Sequence, residues 1–138
     1  GEMAMTFEEL LARDKPKIPL KKMAGKALLH GHCHQKAFDA VRPIEEVLSW
    51  IDGLEVTSIE SSCCGMAGAF GYGTDTYDIS MRMANANLLP AVRETDPKHL
   101  LIADGTSCRC QIKDATSRTA KHVAVVLDSH LKDSAKTN

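Results

Sequence analysis

The sequence predicts an α/β fold with a small parallel sheet of about three to four strands and helices on its faces. Three short apolar segments, each bounded by turn residues, are typical of buried strands: residues 26–30, 54–59 and 99–103. A helical pattern of apolar residues follows each of them. Because parallel strands must be joined by crossover connections, the alternation of strand and helix favours a parallel sheet.

A short helix is predicted near the start of the chain. Thr6 serves as its N-cap, and Glu9 stands three residues later, as in a capping box. The two prolines within residues 15–19 then exclude helix and favour an extended linker. We therefore expect a helix and linker over residues 1–24 and a cysteine-rich domain over residues 25–138.

The first strand, residues 26–30, follows Gly25 and ends near His32-Cys33-His34. If the extended segment continued, the alternate histidines 30, 32 and 34 would share one face of it. A helix is predicted over residues 41–51, ending at Gly53. Its apolar residues recur at spacings of three and four, which places one stripe against the core. The stripe consists of Val41, Ile44, Val47, Leu48 and Ile51.

The second strand, residues 54–59, leads into a glycine-rich loop over residues 65–73. A helix is predicted over residues 75–89, and Pro90 interrupts it or opens a second short helix. The residues expected to point inward from this helix are Ile79, Met83 and Ala86. The third strand precedes a helix that begins near residue 106, and a last helix is predicted over residues 122–131.

Four of the five cysteines follow the carboxyl ends of the predicted strands: Cys33, Cys63, Cys64 and Cys108. Open α/β sheets bind ligands at that edge, so three loops distant in sequence would meet at one site. The spacing does not match the paired C-x-x-C motifs of zinc fingers. Adjacent cysteines rarely bridge to each other, because a disulfide requires a wider separation of Cα atoms. The pattern therefore indicates a metal site or redox chemistry.

Composition excludes several other classes. The 138 residues are 43% hydrophobic and 25% charged, which suits a domain with its own core. A net charge of -1 and a pI near 6.6 disfavour nucleic-acid binding. There is no apolar run long enough to span a membrane, so any membrane association would depend on partners. With no signal peptide evident and an odd number of cysteines, we expect a cytoplasmic protein with reduced thiols.

Three separated motifs resemble those of a known family. They are the segments HGHCHQKA at residues 30–37, SCCGMAGAFGY at residues 62–72 and DGTSCR at residues 104–109. Together they are similar to the cysteine-rich CCG domain found in heterodisulfide reductase, in the iron–sulfur part of glycolate oxidase, in anaerobic glycerol-3-phosphate dehydrogenase and in the C-terminal part of FAD-linked oxidases. The similarity covers roughly residues 25–132.

This resemblance implies an electron-transfer domain of a flavin-linked or heterodisulfide-reductase-like oxidoreductase. It implies that Cys33, Cys63, Cys64 and Cys108 hold a [4Fe-4S] cluster, or zinc as in some members. FAD would lie on a partner, and a flavoprotein and a ferredoxin-like domain or subunit are the implied partners. The domain alone would catalyse nothing, because the organic substrate of a 2-hydroxy acid dehydrogenase of this type meets the flavoprotein.

One position departs from the family pattern, which often closes with C-x-x-C. Gly105 stands where the first of these cysteines is expected, and Cys110 stands two residues after the second. Cys110 is therefore an additional candidate ligand, as are His32 and His34. Gly65 and Arg109 are further candidates for contact with the cofactor, and Lys36 and Arg109 are cations that could stabilise thiolates.

Two alternatives remain open at the level of sequence. Four thiolates could hold a structural zinc ion in a docking module without redox activity. Alternatively, Cys63 or Cys108 could pair with Cys110 in a dithiol-disulfide redox domain. An isolated domain could also be obtained without its metal.

Overall fold

The structure is a computed structural model that describes residues 4–60, 63–66 and 70–132, apart from the side chain of His34. Within these residues, no helix is both long enough and apolar enough to cross a bilayer. The helices are α1 (Phe7–Asp14), α2 (Cys33–Ala37), α3 (Val41–Ser49), α4 (Tyr77–Ala86), α5 (Leu88–Glu94), α6 (Thr106–Thr116) and α7 (Val123–Ser129), with a short 3-10 helix at Phe70–Tyr72.

Three parallel strands form the sheet in the order β2-β1-β3. The strands are β1 (Gly25–His30), β2 (Leu54–Ser58) and β3 (Leu100–Ala103). The chain passes from β1 to β2 on one side and then returns across β1 to β3 on the other. This reversal opens a crevice at the carboxyl ends of the strands. The parallel sheet and its flanking helices confirm the predicted α/β class.

Side chains alternate between the two faces of the sheet, as the two-residue period of a strand requires. Leu29 and Ile102 lie on one face, in a core that also includes α3 and α7. Leu28 and Leu101 face the opposite core, which includes α5 and α6. Full burial of a leucine or isoleucine side chain stabilises the fold by roughly 1.5–3 kcal/mol. The predicted apolar stripe of α3 is confirmed, with Ile44, Val47 and Leu48 buried.

The capping box of α1 is present as predicted. The backbone N–H of Glu9 donates to Thr6 Oγ1 at 3.2 Å, and that of Thr6 donates to Glu9 Oε2 at 2.6 Å. The helix packs against α3, and Leu11 contacts the core beneath it. The helix therefore lies on the cysteine-rich part of the chain, and the boundary between residues 24 and 25 stays a prediction.

The prediction of which side chains in residues 75–89 face the core was wrong. Two helices, α4 and α5, replace the single helix, and Pro90 lies in the first turn of α5. Ser80 and Ala84 are the buried residues of α4, whereas Ile79 and Met83 are exposed. Ala86 is also exposed. The buried positions carry small residues because the glycine-rich loop approaches the backbone of α4 at Ser80.

The shared histidine face, which required the strand to continue, does not form. Strand β1 ends at His30, where its pairing with Ala103 of β3 ends. The chain then forms α2, whose first turn includes a hydrogen bond from Lys36 N to His32 O of 2.9 Å. A five-residue helix carries too little apolar periodicity to be visible in sequence. It rotates Cys33 away from the line of the strand.

Candidate metal centre

The three cysteine-bearing loops meet at the carboxyl edge of the sheet. Cys33 is the first residue of α2, Cys63 and Cys64 follow β2, and Cys108 lies in the first turn of α6. The sulfur atoms of Cys64 and Cys108 are 3.3 Å apart. The thiol of Cys63 lies near those of Cys33 and Cys64, and both Cys33 and Cys63 lie near Cys108. The fold thus brings four thiols to one edge of the sheet, with Cys64 and Cys108 in direct contact.

The inner pair, Cys64 and Cys108, is joined by a hydrogen bond. The Cys108 thiol donates to the Cys64 sulfur, which lowers the pKa of Cys64 and raises that of Cys108. Both residues are buried, at 5% and 1% exposure. Burial also raises the pKa of Cys63, and the neighbouring Cys64 adds to the rise. Metal binding requires the thiols to lose their protons, so a metal would compete with the protons on Cys63 and Cys108.

His30 belongs to the same cluster. It is the last residue of β1, is 2% exposed and forms a hydrogen bond with Cys64. A ring nitrogen of His30 and the sulfur atoms of Cys64 and Cys108 all lie within 4.8 Å of one another. His32 and His34 were the candidate ligands predicted from sequence. The signal that could have indicated His30 is its position at the very end of the central strand.

Gly65 shapes the loop that carries the adjacent cysteines. Its φ is +83°, in the left-handed region that residues other than glycine rarely adopt. A Cβ here would overlap the carbonyl oxygen of Ser80 and lie 2.9 Å from its carbonyl carbon. The Gly65 N–H donates to Cys63 Sγ at 3.3 Å, and Gln111 Nε2 donates to the Cys64 carbonyl at 3.2 Å. Glycine at this position therefore brings the cysteine loop against α4.

Gln35 connects two of the ligand loops. Its Oε1 accepts a hydrogen bond from the backbone N–H of His32 at 2.9 Å. Its Nε2 donates to Asp104 Oδ2 at 3.2 Å. Gln35 therefore fixes the loop that carries Cys33 against the loop that precedes Cys108.

The chain is similar to parts of larger proteins. One subunit of the anaerobic glycerol-3-phosphate dehydrogenase of Escherichia coli (strain K12) is 32% identical over 110 residues, which cover 80% of this chain and 27% of that subunit. D-2-hydroxyglutarate dehydrogenase of Haemophilus influenzae is 30% identical over 75% of this chain and 10% of that protein. The enzyme of the same name from Pseudomonas putida is 26% identical over 83% of this chain and 11% of that protein.

All of these relatives are dehydrogenases or parts of one. The chain spans about a quarter of the first relative and about a tenth of the other two. No family model matches the chain, and no solved structure matches it. The similarity supports the predicted association with an oxidoreductase, and the cysteine and histidine cluster could bind a metal. Membership of the CCG family itself stays a prediction.

The position that departs from the CCG pattern lies against the cluster. A Cβ on Gly105 would lie 3.0 Å from Cys108 Sγ and 2.7 Å from Cδ2 of His32. The His32 ring therefore lies beside the position from which a cysteine side chain at 105 would extend. A cysteine there would require His32 to move.

The two predicted cations have different surroundings. Partial burial lowers the pKa of Lys36, while the nearby thiols of Cys108, Cys33 and Cys63 oppose that change. Lys36 thus faces the cluster. Arg109 instead donates from Nη1 to the backbone carbonyls of Ala103 and Asp104, at 2.9 and 2.6 Å. These two hydrogen bonds fix the backbone at the carboxyl end of β3.

The remaining candidates lie apart from the cluster or outside the description. Cys110 lies beside the Tyr72 hydroxyl, whereas Cys108 contacts Cys64. His34 lies in α2, and the position of its side chain is not among the described features. Residues 61–62, before the adjacent cysteines, and residues 67–69 of the predicted loop also lie outside the described residues. The five cysteines are free thiols.

A first prediction concerns the Gln35 contact. Replacing Gln35 by methionine keeps the length of the side chain but removes both hydrogen bonds, leaving the His32 N–H without this partner. We expect a loss of about 1–2 kcal/mol in the free energy of unfolding, and faster release of a bound metal to a chelator. Urea unfolding and a chelator-competition time course measure the two effects.

The matched control is Lys113→Met, which alters an exposed side chain of α6. It should leave both the stability and the rate of metal release near those of the unaltered protein. Equal release rates in the two variants would contradict the positioning role of Gln35.

Proposed function

We propose that the chain is an iron–sulfur electron-transfer domain of a flavin-linked dehydrogenase. Cys33, Cys63, Cys64 and Cys108 would hold a [4Fe-4S] cluster at the carboxyl edge of the sheet. The observation that carries the proposal is the convergence of these four thiols from three separate loops. The relatives are dehydrogenases, which favours a redox role over a purely structural one.

The donor set suits such a cluster. Thiolates are the ordinary ligands of iron–sulfur clusters, and nearby hydrogen bonds and charges tune their potential. The Gly65 N–H already donates to Cys63 Sγ at 3.3 Å, and the Lys36 ammonium faces three of the thiols. A bound cluster would supply one-electron chemistry. We propose that a flavoprotein carrying FAD and a ferredoxin-like domain or subunit exchange electrons with it in the cytoplasm.

The test is anaerobic reconstitution with iron and sulfide. We expect about four irons and four sulfides per chain, as a [4Fe-4S] centre requires, with broad visible absorption that bleaches on reduction. A Cys110→Ser variant should take up the same amounts, because Cys110 contacts Tyr72. Failure of the folded, reduced protein to take up iron and sulfide would count against the proposal.

Zinc is the second candidate, and a specific distance favours it. Two thiolates on one tetrahedral zinc ion lie about 3.8 Å apart, given Zn–S bonds of about 2.3 Å. The sulfur atoms of Cys64 and Cys108 are 3.3 Å apart, and His30 adjoins both. A docking module with zinc would show no visible absorption and would lose stability on chelation. Elemental analysis and one visible spectrum of the purified protein therefore separate the two candidates.

A further inference from the structure

A second group of metal-ligating side chains lies apart from the cysteine cluster. It comprises Glu8 of α1, Asp104 just after β3, and His122, the N-cap residue of α7. One ligand atom of each residue lies within 4.8 Å of the other two. The three residues come from segments far apart in sequence, so the tertiary fold assembles this group.

The group carries two carboxylates that lack a lysine or arginine partner among the described ion pairs. Asp104 Oδ1 accepts from the Val123 N–H at 3.0 Å, and Asp104 Oδ2 accepts from Gln35 Nε2 at 3.2 Å. Both donors are neutral. A carboxyl oxygen of Glu8 lies within 4.8 Å of one of Asp104, so the two acids are neighbours.

Glu8 supplies an independent indication that this group binds a ligand. The residue is only 2% exposed, and its Oε1 has no hydrogen-bond partner within the described part of the chain. An unpaired buried carboxyl oxygen is costly in a protein interior, so native structures rarely leave one. A cation bound between the two acids would remove that cost.

His122 completes the donor set. Its Nδ1 lies 3.6 Å from Asp104 Oδ1 and accepts a hydrogen bond from the Ala124 N–H at 3.0 Å. An ion bound through Nδ1 would take the place of this hydrogen bond, because the nitrogen has a single lone pair. The side chain of His122 is one-third exposed, while that of Asp104 is 7% exposed. Solvent therefore reaches the group on the side of the His122 imidazole.

We propose that Glu8, Asp104 and His122 form a second cation site, which binds a first-row divalent transition-metal ion through two carboxylates and one imidazole. Carboxylate and imidazole donors suit ions such as Mn²⁺, whereas thiolates select softer centres. The site is therefore chemically distinct from the cysteine cluster. A bound ion would join α1 to the edge of the sheet.

Mn²⁺ added to the purified protein is the probe, because the electron paramagnetic resonance signal of the free aquo ion falls when the ion is bound. We expect one Mn²⁺ per chain and a rise in the melting temperature. Glu8→Gln keeps the size of the side chain, and His122→Asn keeps an N-cap residue. Each should weaken Mn²⁺ binding at least tenfold and remove the rise in melting temperature.

The Cys33→Ser variant is the control, because it alters the cysteine cluster and leaves these three residues unchanged. It should bind Mn²⁺ as the unaltered protein does. The proposal is overturned if the folded protein binds no Mn²⁺, if binding survives in both site variants, or if Cys33→Ser abolishes it. Absence of binding together with higher stability of Glu8→Gln would identify a shared proton between the two acids instead.

Discussion

Replacement of Cys64 by serine is expected to abolish the metal centre. Cys64 is buried and contacts both Cys108 and His30, so it lies at the middle of the cluster. Serine keeps a hydrogen-bonding group of similar size but does not supply a thiolate at neutral pH. The loss of affinity should exceed the roughly 10–100-fold that follows from removing an outer hydrogen-bond partner of a ligand.

The measurement is metal content per folded chain after reconstitution, with circular dichroism to establish that the variant folds. Cys110→Ser is the matched control, since it makes the same chemical change on α6 away from the cluster. Cys64→Ser with full metal content would refute the assignment of Cys64 as a ligand. Equal losses in both variants would indicate a general effect of removing thiols.

Replacement of Gly65 by alanine is expected to destabilise the fold and release the centre. The left-handed backbone costs an alanine roughly 1–2 kcal/mol, and its Cβ would overlap the carbonyl oxygen of Ser80. Relief of that overlap requires the cysteine loop to move away from α4. We expect a total loss of roughly 2–5 kcal/mol in the free energy of unfolding.

Gly25→Ala provides the comparison for this prediction. A Cβ at Gly25 would meet only Met23 Cε, at the ordinary contact distance of 3.6 Å. Alanine there also restricts the unfolded chain, so its effect on stability should fall within about 1 kcal/mol. Urea unfolding of both variants and the metal content of each give the two readouts. Similar stabilities of the two variants would show that the loop tolerates a side chain at residue 65.

The sheet was predictable because its signals are local. Each strand is a short apolar run, and the sequence of strand and helix allows few topologies. The inward face of α4 was not predictable, because it depends on how closely the distant Gly65 loop approaches Ser80. Ile79 and Met83 of that helix are exposed, although a rule based on hydrophobicity alone would place them inside.

The approximate location of the cysteine cluster followed from the parallel topology, because strand ends meet at one edge. Its internal pairing did not. Cys64 contacts Cys108, while Cys63 lies near Cys33 at the start of α2. No pattern in the sequence predicted that helix. The role of Gln35 as a bridge was missed for the same reason. It depends on Asp104, which is remote in the chain.

The four thiols differ in their access to solvent, and this difference orders their reactivity. Cys33 is exposed, Cys63 is half-buried, and the other two are enclosed. Oxidants and alkylating reagents reach an exposed thiol first, so chemical damage should begin at Cys33 and proceed inward. Under the proposed electron-transfer function, the same corner would offer a redox partner the shortest route for an electron. The surface around residue 33 would then be both the docking surface and the first site of oxidation in air.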